Sequence, residues 1–190
     1  MTDTVQTIKL VGNRLCLDFV NTVNRLPAAG PDEFLTDEEA LRAWARRLDL
    51  AALKPGGDDL LEKALHLREA LRRIFYAAAR SERVPEEDLE TLKRFYLDAV
   101  EQARLEPSDG EFVWSVANQS PYAPLHALAL DATALLQSDL MGRVRYCQNE
   151  ACDWLFLDTS RSRTKRWCSA QGCGNRMRVR RFTQKQRGST

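Results

Sequence analysis

The chain has 190 residues, 28 Lys+Arg against 27 Asp+Glu, and a formal net charge of +1. Hydrophobic residues make up 44% and charged residues 29%, which excludes wholesale disorder, collagen and a membrane bundle. The length suits one domain or two small ones and is enough to bury a real core.

The first residues, Met1 to Thr7, carry no basic segment followed by an apolar one, so no secretory signal is expected. Ile8–Val11 is a short β-branched run of strand character. The following Leu15, Leu17, Phe19, Val20 and Val23 favour a short helix from Leu15 to Val23. Pro27 to Pro31 reads as a loop. Thr36-Asp-Glu-Glu39 reads as a capping box that opens a helix to about Leu48, with Leu41, Trp44, Ala45 and Leu48 on one face. Pro55-Gly56-Gly57 is a break, and Asp58 caps a long helix to about Arg80. Its face is expected to hold Leu61, Ala64, Leu65, Arg68, Leu71 and Phe75.

Pro85 suits the first turn of the next helix, with Glu86, Glu87 and Asp88 placed favourably at its positive end. Leu89, Leu92, Phe95, Tyr96, Ala99 and Val100 are its expected buried face. Ser108-Asp109-Gly110 is a turn signal between Ala103–Leu105 and Phe112–Val116, which predicts a β-hairpin. Pro124 starts a last helix bearing Leu125, Leu128, Ala129, Ala132, Leu135 and Leu136. The longest uncharged stretch, Phe112 to Leu130, contains Asn118, Gln119, Ser120, Pro121 and Pro124, which disqualify it as a membrane span. A cytoplasmic protein is expected.

This body offers little for catalysis. His66 and His126 each sit on a mostly apolar helix, where a structural role is the better reading. Cys16 lies among apolar residues and reads as a small buried hydrophobe. No phosphate loop, metal-binding His-Glu helix or nucleophile elbow is present. No enzyme activity and no catalytic residue are expected.

The near-zero charge conceals a division. Residues 1–140 hold 16 Lys+Arg against 24 Asp+Glu, a net −8, whereas residues 141–190 hold 12 against 3, a net +9. An acidic body with a basic tail favours a nucleic-acid or acidic-surface partner. The basic tail also carries four of the five cysteines. Cys147 and Cys152, and then Cys168 and Cys173, form two C-x4-C pairs separated by 15 residues. Both spacings suit a structural zinc, and four thiolates leave no position open for water. One structural Zn2+ is expected.

Between the pairs, Trp154–Asp158 reads as a strand, Arg161–Arg166 as a basic loop, and the residues near Trp167 as a second strand. A helix follows from Gly174 to about Lys185. Knuckle, hairpin, knuckle and helix make a treble-clef-like finger. At 100° per residue, Val179 and Phe182 should pack inward with Asn175 near them. Arg176 and Arg180 fall on one basic stripe, and Arg178, Arg181 and Lys185 on another. With Arg161, Arg163, Lys165 and Arg166 these are the candidate nucleic-acid contacts, because a guanidinium can bond phosphate or guanine in two places.

Cys173-Gly-Asn-Arg176, with Trp154-Leu-Phe-Leu-Asp-Thr-Ser160 and Arg166-Trp-Cys168, resembles the CGNR zinc finger. Gly12-Asn-Arg-Leu-Cys-Leu-Asp-Phe-Val-Asn-Thr22 resembles the opening motif of the ABATE domain, which usually precedes that finger. The resemblance implies an α+β chain, with a mostly helical domain and small hairpin over residues 1–140 and a four-cysteine finger over 141–190. It further implies a stress-induced bacterial transcription regulator whose finger binds nucleic acid. DNA is the favoured partner and RNA the alternative, with a zinc-stapled protein-interaction module as a third reading. The acidic domain would serve in dimerisation or in sensing a signal, for which its helices and the Leu17–Asn21 motif are a candidate ligand pocket.

Overall fold

The computed structural model describes residues 4–26, 31–50, 59–116 and 120–187. The expected loop at 27–31 falls largely outside these residues. The break at Pro55-Gly56-Gly57 and the Asp58 cap lie wholly outside them.

Among the described residues, five helices build the body. Helix α1 (Leu15–Val20) buries Cys16, Leu17, Phe19 and Val20. It stops earlier than its apolar run suggested. Val23–Asn24 (β1) instead pairs antiparallel with Asp32–Glu33 (β2). The Ile8–Val11 segment forms no strand. Helix α2 (Glu38–Arg47) is capped by Asp37, whose side chain accepts from the Ala40 N–H, one residue later than the Thr36 box predicted. The hydroxyl of Thr36 is turned to the Asp37 carboxylate instead.

Helix α3 (Leu60–Arg80) is the central element. It buries Leu60, Ala64, Leu67, Arg68, Ala70, Leu71, Ile74, Phe75 and Ala77, more than one stripe. Leu61 and Leu65, expected inside, pack against the core but are only half-buried, at its margin. Helix α4 (Glu86–Gln102) follows Pro85 and buries Asp88, Thr91, Leu92 and Ala99. Leu89 and Val100 are exposed, so the inward face is rotated from the one expected. The reason is an ion pair: buried Asp88 takes both Nε and Nη2 of Arg73 on α3, which fixes which side of α4 meets its neighbour.

Strands β3 (Ala103–Ser108) and β4 (Glu111–Val116) form the predicted hairpin. Asp109 and Gly110 both take positive φ, 49° and 87°, the geometry that a tight two-residue turn demands. Helix α5 (Ala123–Leu136) has Pro124 in its first turn and buries the expected leucines and alanines except Leu136, which is half-buried. A 3-10 turn (Asp139–Arg143) leads into β5 (Val144–Tyr146). Strand β5 pairs antiparallel with β6 (Leu155–Leu157). Among the described residues, no helix is long and apolar enough to cross a membrane.

The body core joins Phe19, Trp44, Leu67, Leu71, Phe75, Leu125 and Leu128, among others, and includes Val144, Leu155 and Leu157 from beyond residue 141. The rings of Phe19 and Trp44 lie 5.4 Å apart at its centre. A second, small cluster holds the four C-terminal cysteines and Phe156, with Val11, Trp154 and Trp167 packed against it. Successive strand residues face opposite sides. Strand β6 therefore presents Leu155 and Leu157 to the body and Phe156 to the cysteines, as one wall shared by two cores.

Candidate metal centre and nucleic-acid interface

The first cysteine pair sits in the turn between β5 and β6. The Cys147 N–H donates to the Trp154 carbonyl at 2.8 Å, and the Cys152 N–H donates to the Asn149 carbonyl at 2.9 Å. Of the second pair, Cys168 precedes a π-helical turn (Ala170–Gly174) and Cys173 lies within it; Ser169 opens the turn by accepting from the Gly172 N–H at 3.1 Å. The hairpin thus flanks the first knuckle, and no strand forms near Trp167, because the partner of β6 precedes Cys147 rather than following Arg166. The order is strand, knuckle, strand, basic loop, knuckle, helix.

All four sulfurs lie within 4.8 Å of one another, and all four residues are buried. Cys152 and Cys168 are 3.9 Å apart at sulfur, and Cys168 and Cys173 are 3.7 Å apart. These are not disulfide distances. A tetrahedron of sulfurs about 2.3 Å from zinc has edges of roughly 3.8 Å. The thiols share protons unequally. Hydrogen bonds with Cys152 and Cys168 lower Cys147 to about 7, and those with Cys147, Cys152 and Cys168 hold Cys173 well below a free thiol. Cys152 and Cys168 are pushed up, chiefly through their bonds with Cys147. A dication between the four sulfurs would hold all of them as thiolates and offset their mutual repulsion. The donor set, spacing and closure fit one structural zinc.

The N-terminal motif closes the site from behind. One edge of β6 pairs with β5; the other is taken up by residues 12–24. Asn21, buried, donates Nδ2 to the Leu155 carbonyl and accepts the Leu155 N–H at Oδ1, both at 2.8 Å. The Gly12 carbonyl accepts the Leu157 N–H at 2.8 Å, and Asn13 Nδ2 donates to the Leu157 carbonyl at 3.0 Å. The indole N–H of Trp154 reaches the Val23 carbonyl at 3.0 Å, and the Tyr76 hydroxyl donates to the Asp153 carbonyl. A Cβ on Gly12 would lie 2.7 Å from the Asp18 nitrogen, so only glycine permits this approach. Asp18 in turn accepts the Gly12 N–H at 2.7 Å, and burial raises its pKa to about 6 despite that bond. Leu17 and Phe19 are fully buried and Asn21 is committed to Leu155, so the motif is a clasp for the finger rather than a ligand pocket. Sequence reading missed this role; two amides flanking a buried helix were its only visible signal.

Residues 13–139 match the ABATE family, described as "Putative stress-induced transcription regulator", and residues 143–186 match the CGNR zinc finger. The chain belongs to the ABATE family and carries a CGNR finger. No curated protein matches it.

The CGNR finger displays most of the candidate nucleic-acid residues openly. In the loop, Arg161, Arg163 and Arg166 are exposed. Lys165 is half-buried, with its ammonium 4.7 Å from the Phe156 ring centre. Asp158 shapes this loop by accepting from the Ser160 N–H and hydroxyl and from the Lys165 N–H. Burial raises its pKa, but those bonds outweigh burial and hold the carboxyl below its usual range. Arg166 is anchored to Gln148 at 2.6 Å and lies over Trp167.

Helix α6 (Asn175–Arg187) carries Arg176, Arg178, Arg180 and Arg181, all exposed, and Lys185 falls on the same helix. Arg180 pairs with Glu150 at 2.5 Å. Val179 and Phe182 do not pack inward: they are 57% and 63% exposed, and Asn175 is exposed too. The inner side of α6 meets solvent because the body core has already closed on β5 and β6.

The body adds two features. Cys16 is buried, and its thiol pKa is raised well above normal, first by burial and then by Asp131, so it is chemically quiet. His66 and His126 meet in a cavity of about 430 Å³ with Lys63, Arg94, Phe95, Asp98, Gln102 and Tyr122. Burial lowers the pKa of His126, which favours the neutral ring.

Proposed function

We propose that the protein is a zinc-dependent, DNA-binding transcription regulator without catalytic activity. The observation that carries this reading is α6, which stands clear of the core with four exposed arginines on it. A helix with side chains is about 10–12 Å across, which matches the roughly 12 Å major groove. The exposed Val179 and Phe182 then face base edges, where apolar contact with thymine methyl groups is available. Arg161, Arg163 and Arg166 lie on phosphates beside the groove. A closed four-cysteine centre holds the shape and has no position for substrate water.

DNA is favoured over RNA on a specific point. The finger's two tryptophans, Trp154 and Trp167, are packed against the zinc cluster rather than offered to unpaired bases. The ABATE part serves in sensing, for which the 430 Å³ cavity offers space, and in dimerisation. The test is a salt titration of affinity for duplex DNA with the zinc-loaded protein. Each phosphate contact adds about 0.9 to the magnitude of the slope of log affinity on log salt, so the finger's seven contacts alone predict a slope of roughly −6 or steeper. An affinity indifferent to salt, or unchanged by Arg178→Glu with Arg181→Glu, rules the reading out.

A further inference from the structure

The acidic body has a strongly basic face that abuts the finger. A cleft of about 470 Å³ is lined by Arg25, Arg72, Arg73, Arg80 and Arg83, against Glu82 and Asp153. Three of these arginines have acid partners: Arg25 and Arg72 pair with Glu69, and Arg73 with Asp88. Arg80 and Arg83 are exposed and make no ion pair among the described residues. Arg80 is held in place all the same. Its guanidinium lies 5.3 Å from the Tyr76 ring and 5.0 Å from the Tyr146 ring, and the two rings stack on each other at 6.1 Å. A guanidinium seated on aromatic faces keeps its N–H edge free for a two-point bond to phosphate.

A second hollow of about 190 Å³ continues the first. It shares Leu26, Tyr76, Arg80 and Asp153 and is walled by Gln148, Glu150 and the first two zinc-binding cysteines. Gln148 holds Arg166, and Glu150 holds Arg180. One knuckle therefore separates the body's free arginines from the finger's.

We propose that the DNA-binding surface does not end at the finger. The sugar-phosphate backbone of the bound duplex runs on across the first knuckle into this cleft, where Arg80 and Arg83 take phosphates. This inference rests on the DNA-binding reading above. It makes the ABATE body a direct contributor to affinity, although the body as a whole carries excess negative charge. The cleft side supplies position and strength, and the finger supplies the groove contact.

The experiment compares three forms of the full chain with zinc bound: wild type, the Arg80→Glu/Arg83→Glu variant, and the Arg178→Glu/Arg181→Glu variant. Affinity for mixed-sequence duplex DNA is measured across a salt series. Zinc content and thermal midpoint establish that each form is folded. Arg83→Glu alone serves as a second variant, because Arg80 also rests on two tyrosines. The cleft variant should bind roughly tenfold or more weakly, with a salt slope shallower by about 1.8, two phosphate contacts' worth. Arg83→Glu should show about half that change in slope. If both cleft variants bind as the wild type does while the α6 variant fails, the cleft takes no part and the finger reading survives. If the wild type itself shows no salt-dependent binding, the DNA-binding reading fails and this inference falls with it.

Discussion

Replacing Asn21 with alanine tests how firmly the finger is tied to the body. Asn21 is 1% exposed, and its amide satisfies both the N–H and the carbonyl of Leu155, a fully buried residue. The smaller side chain orphans both backbone groups where no water reaches them. Each buried group left without a partner costs about 1–3 kcal/mol, so the loss should be about 2–6 kcal/mol. For a chain of this size that lowers the thermal midpoint by roughly 4 °C at the least. Asn21→Asp should fare no better: a carboxylate still accepts the Leu155 N–H but opposes the Leu155 carbonyl. Asn24, half-buried and joined to Ala151 and Asp153 by contacts of 3.3 Å, is the control, and Asn24→Ala should cost about 0.5 kcal/mol or less. Denaturant unfolding of the zinc-loaded protein gives the values, with the midpoint shifting at unchanged slope. A cost below about 1 kcal/mol for Asn21→Ala, or one no larger than that of the control, would refute the clasp.

Three further outcomes follow from the same geometry. Chelating the zinc removes a contribution of about 10–16 kcal/mol and should speed amide exchange not only in the finger but in α3 near Leu67 and Leu71; unchanged exchange in α3 contradicts a shared wall. Gly12→Ala forces a Cβ to within 2.9 Å of Leu17 and closer to the Asp18 nitrogen, and should destabilise by about 1–3 kcal/mol; a melting curve overlaying the wild type would show that the backbone gives way freely. Asp18 has a pKa raised to about 6 in the folded chain, above its unfolded value, so its contribution favours folding at low pH and is lost as pH rises through 6. Asp18→Asn should therefore gain on the wild type as pH climbs from about 4 to 6.5, and a constant gap between their melting points across that window would count against the burial of this carboxyl.

The sequence made the zinc centre legible because cysteine spacing is a local property and the tetrahedron asks only that two short loops meet. The hairpin at Asp109-Gly110 was legible for the same reason. What escaped was set by tertiary packing. Leu89 and Val100 belong to the apolar pattern of α4, yet the Arg73–Asp88 pair turns that face to solvent. Val179 and Phe182 share a helix face with no core left for it to cover. Strand β6 was found, but its partner lies before the first knuckle, and no local signal distinguishes that from a partner after it. The arginines on α6 are exposed as expected, whereas the arginine cleft draws on residues between 25 and 83 that only the fold assembles.

The alternation along β6 bears on how such a chain can be inherited. Cut free near residue 141, the finger would carry Val144, Leu155 and Leu157 into water with the Leu155 and Leu157 backbone groups unpaired. The body left behind would lose the part of its core that Val144, Leu155 and Leu157 fill. Neither half is a transferable cassette. A gene rearrangement that moved this finger to another partner would have to bring residues 12–24 with it, so the two parts should be found travelling together.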